Sequence, residues 1–223
     1  MASNCLRMKH ALIIGASGGI GAAIARTLSQ THCLTEISRS QTGLDVTDPD
    51  SVAAALDPVV APVDLAFVAT GILAPEGQAP EKTLDAIDAH AMAQTFAVNA
   101  IGPALILRAL APKLSETARV GVLTARVGSI GDNRMGGWYS YRAAKAAANQ
   151  ITHGAAIEIG RKRKGAVVVA LHPGTVETPF TEGYKAKKVS ADQAAANLID
   201  VLGRLTPEHS GGFFDYAGEE IPW

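Results

Sequence analysis

The sequence predicts an α/β fold: a single doubly wound domain with a parallel sheet of about seven strands and helices on both faces. Short apolar runs, typical of buried strands, alternate with helical stretches along the 223 residues. The first apolar run leads directly into a glycine-rich turn and a helix, and in such sheets ligands bind beyond the carboxyl ends of the strands. A chain of this length is most simply one domain, so we expect residues 1–223 to fold together.

Each strand is predicted by an apolar run bounded by turn or polar residues. The runs are His10–Ile14, Cys33–Ser38, Asp64–Ala69, Arg119–Thr124, Ala166–Leu171 and Phe213–Tyr216, and Gly43–Val46 is a candidate for a short seventh strand. Helices are expected near Ile20–Gln30, Ser51–Leu56, Thr83–Leu114, Trp138–Gly160 and Ala191–Leu205. The third is too long for one helix, so Pro103 and Pro112 predict a kink and an end, and Asn99 a local irregularity.

The glycine-rich turn lies between the strand Ala11–Ile14 and a helix that runs on from Ala22. Glycines let the backbone turn tightly and approach a pyrophosphate, which binds at the helix N-terminus. The spacing here is G-x-x-x-G-x-G, in place of the more usual G-x-G-x-x-G. The alternative is a tight strand–helix turn without a ligand. We expect the cofactor contacts to come from Gly15, Ser17, Gly18, Gly19, Ile20 and Gly21.

Tyr141 and Lys145 lie four residues apart in a stretch predicted to be helical. Side chains with this spacing share one face of a helix, so the phenol and the ammonium can project into one pocket. A neighbouring ammonium lowers the pKa of a phenol, and a shift from about 10 to about 7 requires ~4 kcal/mol. Tyr139 is a competing phenol, but position 143 is an alanine and not a lysine. Tyr141 is therefore the expected general acid, with Lys145 as its partner.

The glycine turn and the Tyr141/Lys145 pair, in this order and at this separation, resemble the short-chain dehydrogenase/reductase family. The resemblance runs from about His10 to the C-terminus and implies a Rossmann-type fold and a nicotinamide cofactor. It implies that Asn99 supports Lys145, often through water, as a further member of the catalytic set. Further cofactor contacts that it implies are Asp45 and Val46 near the adenine, Gly71 after the third strand, and Pro173, Gly174, Val176 and Thr178 around the nicotinamide.

Three segments are similar to the C-factor-like bacterial branch of this family: Ala125–Asn133, Gly136–Arg142 and Ile221–Trp223. That branch is associated with intercellular signalling, which leaves two functions open. One is an NADP-preferring carbonyl reductase or alcohol dehydrogenase. The other is a nucleotide-binding signalling or regulatory protein with weak or no turnover. A sugar-nucleotide epimerase shares the fold and the Tyr/Lys pair but usually carries a larger C-terminal substrate domain, which is absent here.

The choice of cofactor depends on the end of the second strand. An NAD-selective site places an acidic residue there, where it accepts a hydrogen bond from the ribose 2′-hydroxyl. Ser38 occupies that position and Arg39 follows it. A serine and a guanidinium suit the 2′-phosphate of NADP, which arginine can bind with two hydrogen bonds. A two-residue slip would instead make Glu36 the acid that selects NAD, so NADP is expected and NAD stays open.

One position departs from the family pattern. The resemblance implies a serine hydroxyl beside Tyr141 that polarises the substrate carbonyl, and the matching residue here is Ala125. Three outcomes are open: Ser129 serves instead, Thr124 does so, or the position is vacant and turnover is slow. We expect Ser129. Loss of one such donor typically costs ~10²–10³ in rate.

Bulk composition narrows the class of protein. The net charge is -1 and the pI is about 6.6. Nucleic-acid binding requires a strongly basic surface, and this composition does not predict one. The two cysteines, Cys5 and Cys33, have no paired spacing that suggests metal or redox chemistry, and no run of about 20 apolar residues predicts a membrane span. We expect a cytoplasmic enzyme that acts on a small carbonyl or alcohol, with a short substrate lid around residues 178–190. The resemblance implies a homodimer or homotetramer.

Overall fold

The computed structural model of the protein describes residues 8–178, 181 and 188–223. Within them, one sheet of six parallel strands has the order β2-β1-β3-β4-β5-β6. The doubly wound fold is confirmed, with six strands where about seven were expected. The strands are β1 (Lys9–Ile14), β2 (His32–Ile37), β3 (Val63–Val68), β4 (Leu114–Leu123), β5 (Val167–His172) and β6 (Phe213–Asp215).

The predicted seventh strand, Gly43–Val46, is wrong. Gly43 has φ of 73° and ends a short helix, so the chain turns at the point where the strand was expected to begin. The Asp45 amide then donates to the Ser51 hydroxyl at 3.0 Å, and not to a neighbouring strand. Its side chain accepts hydrogen bonds from Thr47, which closes a local turn. The Asp45 amide therefore finds its partner in a local turn and not in a sheet.

Seven α-helices are assigned in the described residues, and two of them cover one face of the sheet. The helices are α1 (Gly19–Leu28), α2 (Arg39–Thr42), α3 (Pro49–Leu56), α4 (Ala89–Phe96), α5 (Gly102–Leu110), α6 (Tyr139–Lys162) and α7 (Ala191–Arg204). Residues of α1 and α7 pack with Ala11 and Ile13 of β1 in one buried cluster. Residues of α3, α5 and α6 pack with Leu12 and Ile14 in the other. Alternate strand residues therefore face opposite helical layers.

The long helix expected over Thr83–Leu114 is interrupted. A 3-10 turn at Leu84–Ala86 precedes α4, whose N-cap is Asp88, and the first α-helical residue is Ala89. The predicted irregularity at Asn99 is confirmed, because Ala97–Ile101 forms a single π-helical turn between α4 and α5. Pro103 lies at the start of α5, directly after this π-helical turn, and the helical stretch continues through it to Lys113.

A reversal of strand order lies between β1 and β3. β1 pairs with β2 on one side and with β3 on the other, so the crossovers diverge at its carboxyl end. The Gly15 amide donates to the Ile37 carbonyl at 2.8 Å, and the Ala69 amide donates to the Ile14 carbonyl at 2.7 Å. The turns after β1, β2 and β3 are thus held side by side, where open α/β sheets bind ligands.

Within the described residues, one helical stretch has the length and apolar character that a membrane span needs. It is Ala89–Lys113, with a mean hydropathy of 1.3, and 44% of it is buried inside the protein. Ile106, Leu107 and Leu110 from this stretch belong to the core cluster on the α6 side of the sheet. Core packing accounts for the same composition, so the stretch is weak evidence for a membrane.

Candidate active site

The glycine turn has little room for side chains on its inner surface. Gly15 has φ of +89°, and a Cβ atom there would lie 2.6 Å from the Ala69 carbonyl oxygen. A Cβ atom on Gly21 would lie 2.2 Å from the Gly15 carbonyl oxygen. These two glycines therefore permit the close approach of α1 to β1 and of β1 to the loop after β3.

The outer surface of the same turn is open. Ser17, Gly18 and Gly19 are exposed, and the N-cap residue of α1, Gly18, offers no side-chain hydrogen bond to the helix. The first turn of α1 contains no acidic residue. Its first amides and the positive end of the helix dipole are therefore available to an anion. This turn fits the pyrophosphate of a dinucleotide. Ile20, the next residue, is half-buried.

The segment after β5 reaches over the glycine turn. A Cβ atom on Gly19 would lie 2.6 Å from Cγ2 of Thr178, so these two residues are in contact. Val176 is buried, and its carbonyl oxygen accepts a short hydrogen bond from the Thr181 hydroxyl. Pro173 and Gly174 are half-buried, and Gly174 packs against the Tyr216 ring. The lid expected around residues 178–190 lies largely outside the described residues.

The end of β2 lies beside the glycine turn. Ile37 is the last strand residue, and the buried Ser38 caps α2: its hydroxyl accepts from the Gln41 amide and donates to the Gln41 side chain. Arg39 is the exposed first residue of α2. Glu36 is exposed but pairs with Ile13, one residue before the end of β1. The geometry places Ser38 and Arg39 at the strand end and Glu36 before it.

Asp45 and Val46 lie after α2. The exposed Asp45 carboxylate accepts from the hydroxyl and the amide of Thr47, and these hydrogen bonds lower the pKa of Asp45, with a smaller contribution from the charge of Arg39. Val46 contacts Gly102 at the start of α5, where a Cβ atom would lie 3.0 Å from the valine side chain. The adenine-binding role of Asp45 and Val46 stays a prediction.

Gly71, in the loop after β3, brings Asn99 and Lys145 to one point. A Cβ atom on Gly71 would lie 2.9 Å from Oδ1 of Asn99 and 3.2 Å from Nζ of Lys145. The fully buried Asn99 amide holds this loop in both directions, accepting from the Ile72 amide at 3.0 Å and donating to the Ile72 carbonyl at 2.8 Å. Asn99 thus positions the loop against Lys145.

Tyr141 and Lys145 lie close together on the buried side of α6. Both are buried, and Nζ of Lys145 lies 5.9 Å from the centroid of the Tyr141 ring. Nζ also donates to the Leu123 carbonyl at 3.2 Å, at the end of β4. The Trp138 ring packs edge-on against Tyr141 with a centroid separation of 6.2 Å. Burial lowers the pKa of Lys145 to about 8, so the ammonium form predominates at pH 7.

The Ser129 hydroxyl is already engaged in two hydrogen bonds, which argues against the catalytic role expected from the sequence. The buried Ser129 hydroxyl donates to the Pro222 carbonyl at 2.5 Å and accepts from the Asp132 amide at 3.0 Å. A hydroxyl has one hydrogen to donate. Ser129 uses it to hold the C-terminal segment, which also binds through the Gly131 amide and the Trp223 carbonyl at 2.7 Å.

Thr124, directly before Ala125, is one of three residues in the described part of the chain with a buried hydroxyl that makes no hydrogen bond, together with Thr70 and Ser115. It is 4% exposed, and its Oγ1 makes no hydrogen bond in the part of the chain that the structure describes. The preceding residue, Leu123, belongs to the cluster on the α1 and α7 side of the sheet. Strand alternation therefore directs the Thr124 side chain toward the layer of α6. Ala125, which has no hydroxyl, follows in an extended conformation.

One feature of the site escaped the sequence-based predictions: Glu81, which binds the start of α6 from 59 residues away. No local pattern could have revealed this contact. At the end of β5, the pKa of His172 is lowered to about 4 because of burial and, secondarily, the charge of Arg126. No cluster of three or more potential metal-binding side chains occurs among the described residues.

The sequence of this chain is similar to those of known proteins. A family model described as enoyl-(acyl carrier protein) reductase matches residues 31–213. A Rhodococcus sp. (strain AD45) protein, 1-hydroxy-2-glutathionyl-2-methyl-3-butene dehydrogenase, is 33% identical over 97% of this chain and 100% of its own. C-signal from Myxococcus xanthus is 40% identical over 61% of this chain and 81% of its own length.

Solved structures share the fold over almost the entire chain. NADPH-bound carbonyl reductase from chicken fatty liver superposes with a TM-score of 0.81 at 24% identity, covering 97% of this chain and 100% of its own. A short-chain dehydrogenase/reductase from Burkholderia multivorans with bound NADP has a TM-score of 0.78 at 25% identity, with the same coverage. The chain belongs to the short-chain dehydrogenase/reductase family of oxidoreductases.

Proposed function

We propose that this protein is an NADP(H)-dependent oxidoreductase that transfers hydride between the cofactor and a small carbonyl or alcohol substrate. The observation that carries the proposal is the buried Tyr141/Lys145 pair, with Nζ of Lys145 5.9 Å from the tyrosine ring. Gly71 links this pair to the loop after β3, and that loop packs on Gly15 of the phosphate-binding turn. One crevice therefore contains an acid–base group and a dinucleotide site.

The chain's own residues would hold the cofactor along the carboxyl edge of the sheet. The open amides of α1 would bind the pyrophosphate, with Asp45 and Val46 near the adenine and Thr178 near the nicotinamide. When bound, the cofactor supplies or accepts the hydride. Arg39 favours NADP, because an exposed guanidinium at the end of β2 suits a 2′-phosphate. Both Burkholderia relatives at 25% identity contain NADP. NAD is the alternative.

In the reduction direction, Tyr141 donates its phenolic proton to the oxygen of the substrate carbonyl as negative charge develops there. Lys145 favours the phenolate that remains, because a cation close to a phenol stabilises the charged form. The Leu123 carbonyl holds the ammonium in place at 3.2 Å. Asn99 contributes by fixing the loop that contacts Lys145. In the oxidation direction the same proton returns to Tyr141.

We infer that Thr124 supplies the hydroxyl that the family takes from the position of Ala125. Ser129 is committed to the C-terminal segment, whereas the buried Thr124 hydroxyl has no partner among the described residues. An unpaired buried hydroxyl costs free energy unless a ligand or water satisfies it. A substrate oxygen next to Tyr141 would provide that partner.

The names of the relatives support a small polar substrate without identifying it. One relative is named as the dehydrogenase of a hydroxylated glutathione conjugate, and another as a carbonyl reductase. We propose a single domain over residues 1–223, with a lid around 178–190, acting in the cytoplasm. Association into a homodimer or homotetramer through exposed helical faces completes the proposal; Ile101 and Ile157 are half-exposed on such faces.

A screen of cofactor oxidation tests the proposed function. Purified protein is mixed with NADPH or NADH and a panel of aldehydes, ketones and quinones, and alcohols are tested with NADP in the reverse direction. Tyr141→Phe is the control, because it keeps the ring and removes the proton donor. We expect turnover with NADPH that Tyr141→Phe abolishes. Turnover that survives this substitution would contradict the role of Tyr141.

A second candidate function is a nucleotide-binding signalling or regulatory protein with weak turnover. The alanine at position 125 and the 40% identity to C-signal over 139 residues favour it. The same assay separates the two functions. Saturable NADPH binding without turnover on any substrate would support the regulatory function.

A further inference from the structure

The first turn of α6, which carries Tyr141, is held by a carboxylate from a distant loop. Glu81 is 9% exposed, and its Oε2 accepts from the Ser140 amide at 3.2 Å. Its Oε1 accepts a short hydrogen bond from the Ser140 hydroxyl. The Glu81 carbonyl oxygen accepts from the Trp138 amide at 2.5 Å. Three hydrogen bonds thus join Glu81 to the residues that immediately precede Tyr141; we refer to them as the Glu81 clamp.

The local sequence of α6 does not supply this cap itself. Trp138 occupies the N-cap position with φ of 53° and ψ of 42°, and its side chain makes no capping hydrogen bond. Gly136 and Gly137, with φ of 63° and 64°, lead into it. A left-handed conformation is uncommon for a residue other than glycine and persists where surrounding contacts enforce it. Here the Glu81 clamp provides those contacts at both Trp138 and Ser140.

The charge of Glu81 suits its place. The first amides of a helix have no partners within the helix, and the N-terminus carries a partial positive charge. A buried carboxylate is costly unless it is hydrogen-bonded. Glu81 meets both conditions at the start of the 24-residue helix α6. The first turn of α6 therefore depends on a residue that is absent from its own sequence.

We propose that Glu81 is a positioning residue for Tyr141, an inference that rests on the proposed function. Ser140 directly precedes Tyr141. The hydrogen bonds of the Glu81 clamp to Ser140 therefore help to set the orientation of the phenol. Lys145 is held independently by the Leu123 carbonyl and by packing of Gly128, where a Cβ atom would lie 2.8 Å from the Lys145 backbone. Loss of the clamp therefore moves Tyr141 relative to Lys145 while the ammonium stays in place.

The test compares Glu81→Ala, Glu81→Gln and Ser140→Ala, with Glu76→Ala as a matched control because that exposed carboxylate lies in the same loop. We expect Glu81→Ala to lower kcat by ~10²-fold, the cost of a small misplacement of a reacting group. KM and the dissociation constant of NADPH are expected to stay unchanged. Glu81→Gln should recover most of kcat, since its amide can accept from the Ser140 amide and donate to the Ser140 hydroxyl.

Hydrogen exchange of the Ser140 amide, which donates to the Glu81 carboxylate, provides a readout that does not depend on turnover. We expect faster exchange in Glu81→Ala and near-wild-type exchange in Glu81→Gln and Glu76→Ala. Unchanged exchange in Glu81→Ala would refute the clamp, and faster exchange with full kcat would refute positioning of Tyr141. If Glu81→Ala does not fold, Ser140→Ala takes its place, because it removes only the hydrogen bond from the Ser140 hydroxyl. The same two outcomes are then compared, with a smaller expected loss of kcat.

The test gives a different result if the protein does not have the proposed function. In that event the wild-type protein would turn over no substrate, with or without the clamp. The exchange rates would then decide the structural part alone, since faster exchange in Glu81→Ala supports the clamp and unchanged exchange refutes it.

Discussion

The Lys145 ammonium lies 5.9 Å from the centre of the Tyr141 ring and is buried without an ion pair to any carboxylate in the described residues. Its stabilising contacts are the Leu123 carbonyl at 3.2 Å and the tyrosine ring. Because burial lowers the pKa of Lys145 from 10.5 to about 8, the folded protein bears a cost for keeping this cation charged. The buried cation beside the phenol therefore lowers the stability of the folded protein.

Lys145→Met is therefore expected to abolish turnover and yet to stabilise the fold at pH 7. The folded-state pKa is the lower one, so the unfolded chain binds more protons between about pH 8 and 10.5 and wild-type stability rises with pH across that window. The shift corresponds to about 3 kcal/mol at most. Urea unfolding at pH 7 and pH 10 measures the effect. A stability difference between variant and wild type that is the same at both pH values would contradict it.

Ser129→Ala is expected to affect stability and not catalysis. The substitution removes the buried hydroxyl that donates to the Pro222 carbonyl and accepts from the Asp132 amide, two groups of exposed residues. Loss of hydrogen bonds of this kind costs about 1 kcal/mol. We expect a lower free energy of unfolding with unchanged kcat per folded molecule. A large loss of kcat at unchanged stability would return Ser129 to the catalytic set.

Thr124→Val tests the other hydroxyl. The substitution preserves shape and removes an Oγ1 atom that has no partner in the described residues, so stability should not fall. If Thr124 polarises the substrate carbonyl, kcat falls by ~10²–10³. Ala125→Ser provides the matched gain, because Ala125 has an extended backbone that serine adopts without strain. We expect Ala125→Ser to restore turnover to Thr124→Val; failure of both effects would mean that no hydroxyl acts here.

The sequence predicted the elements whose signals are local. The glycine turn, the helical spacing of Tyr141 and Lys145 and the irregularity at Asn99 depend on residues close together in the chain, and the structure has each in the expected element. The hydrogen bond that engages the Ser129 hydroxyl could not be predicted, because its partner, Pro222, lies 93 residues away. Glu81 was missed for the same reason. Hydrogen bonds between residues far apart in the chain produce no pattern in the local sequence. The residues that support a site from a distance can therefore be identified only once the fold is known.

Cofactor preference is expected to depend on Arg39. It is the exposed first residue of α2 and lies just beyond the end of β2. Glu36 lies inside β2, one residue before its end, and pairs with Ile13. Arg39→Glu replaces a guanidinium with a charge that repels a 2′-phosphate. Titration of both cofactors should show NADPH affinity falling much more than NADH affinity. Equal losses for the two cofactors would show that Arg39 does not contact the phosphate, and Glu36→Gln is the control for the alternative register.

Two glycines of the phosphate-binding turn are expected to respond differently to alanine. Gly15 has φ of +89°, and a methyl group there would lie 2.6 Å from the Ala69 carbonyl, a backbone atom that cannot easily move. Gly18 has φ of -76°, and its methyl group would meet the Gly15 carbonyl at 3.4 Å, an ordinary contact. Gly15→Ala should therefore destabilise the cofactor-free protein by about 1–3 kcal/mol. Gly18→Ala should leave that stability unchanged and weaken NADPH binding alone, because it adds a methyl group at the open end of α1. Thermal unfolding with and without NADPH separates the two effects, and an equal loss of stability in both variants would mean that the turn is not strained at Gly15.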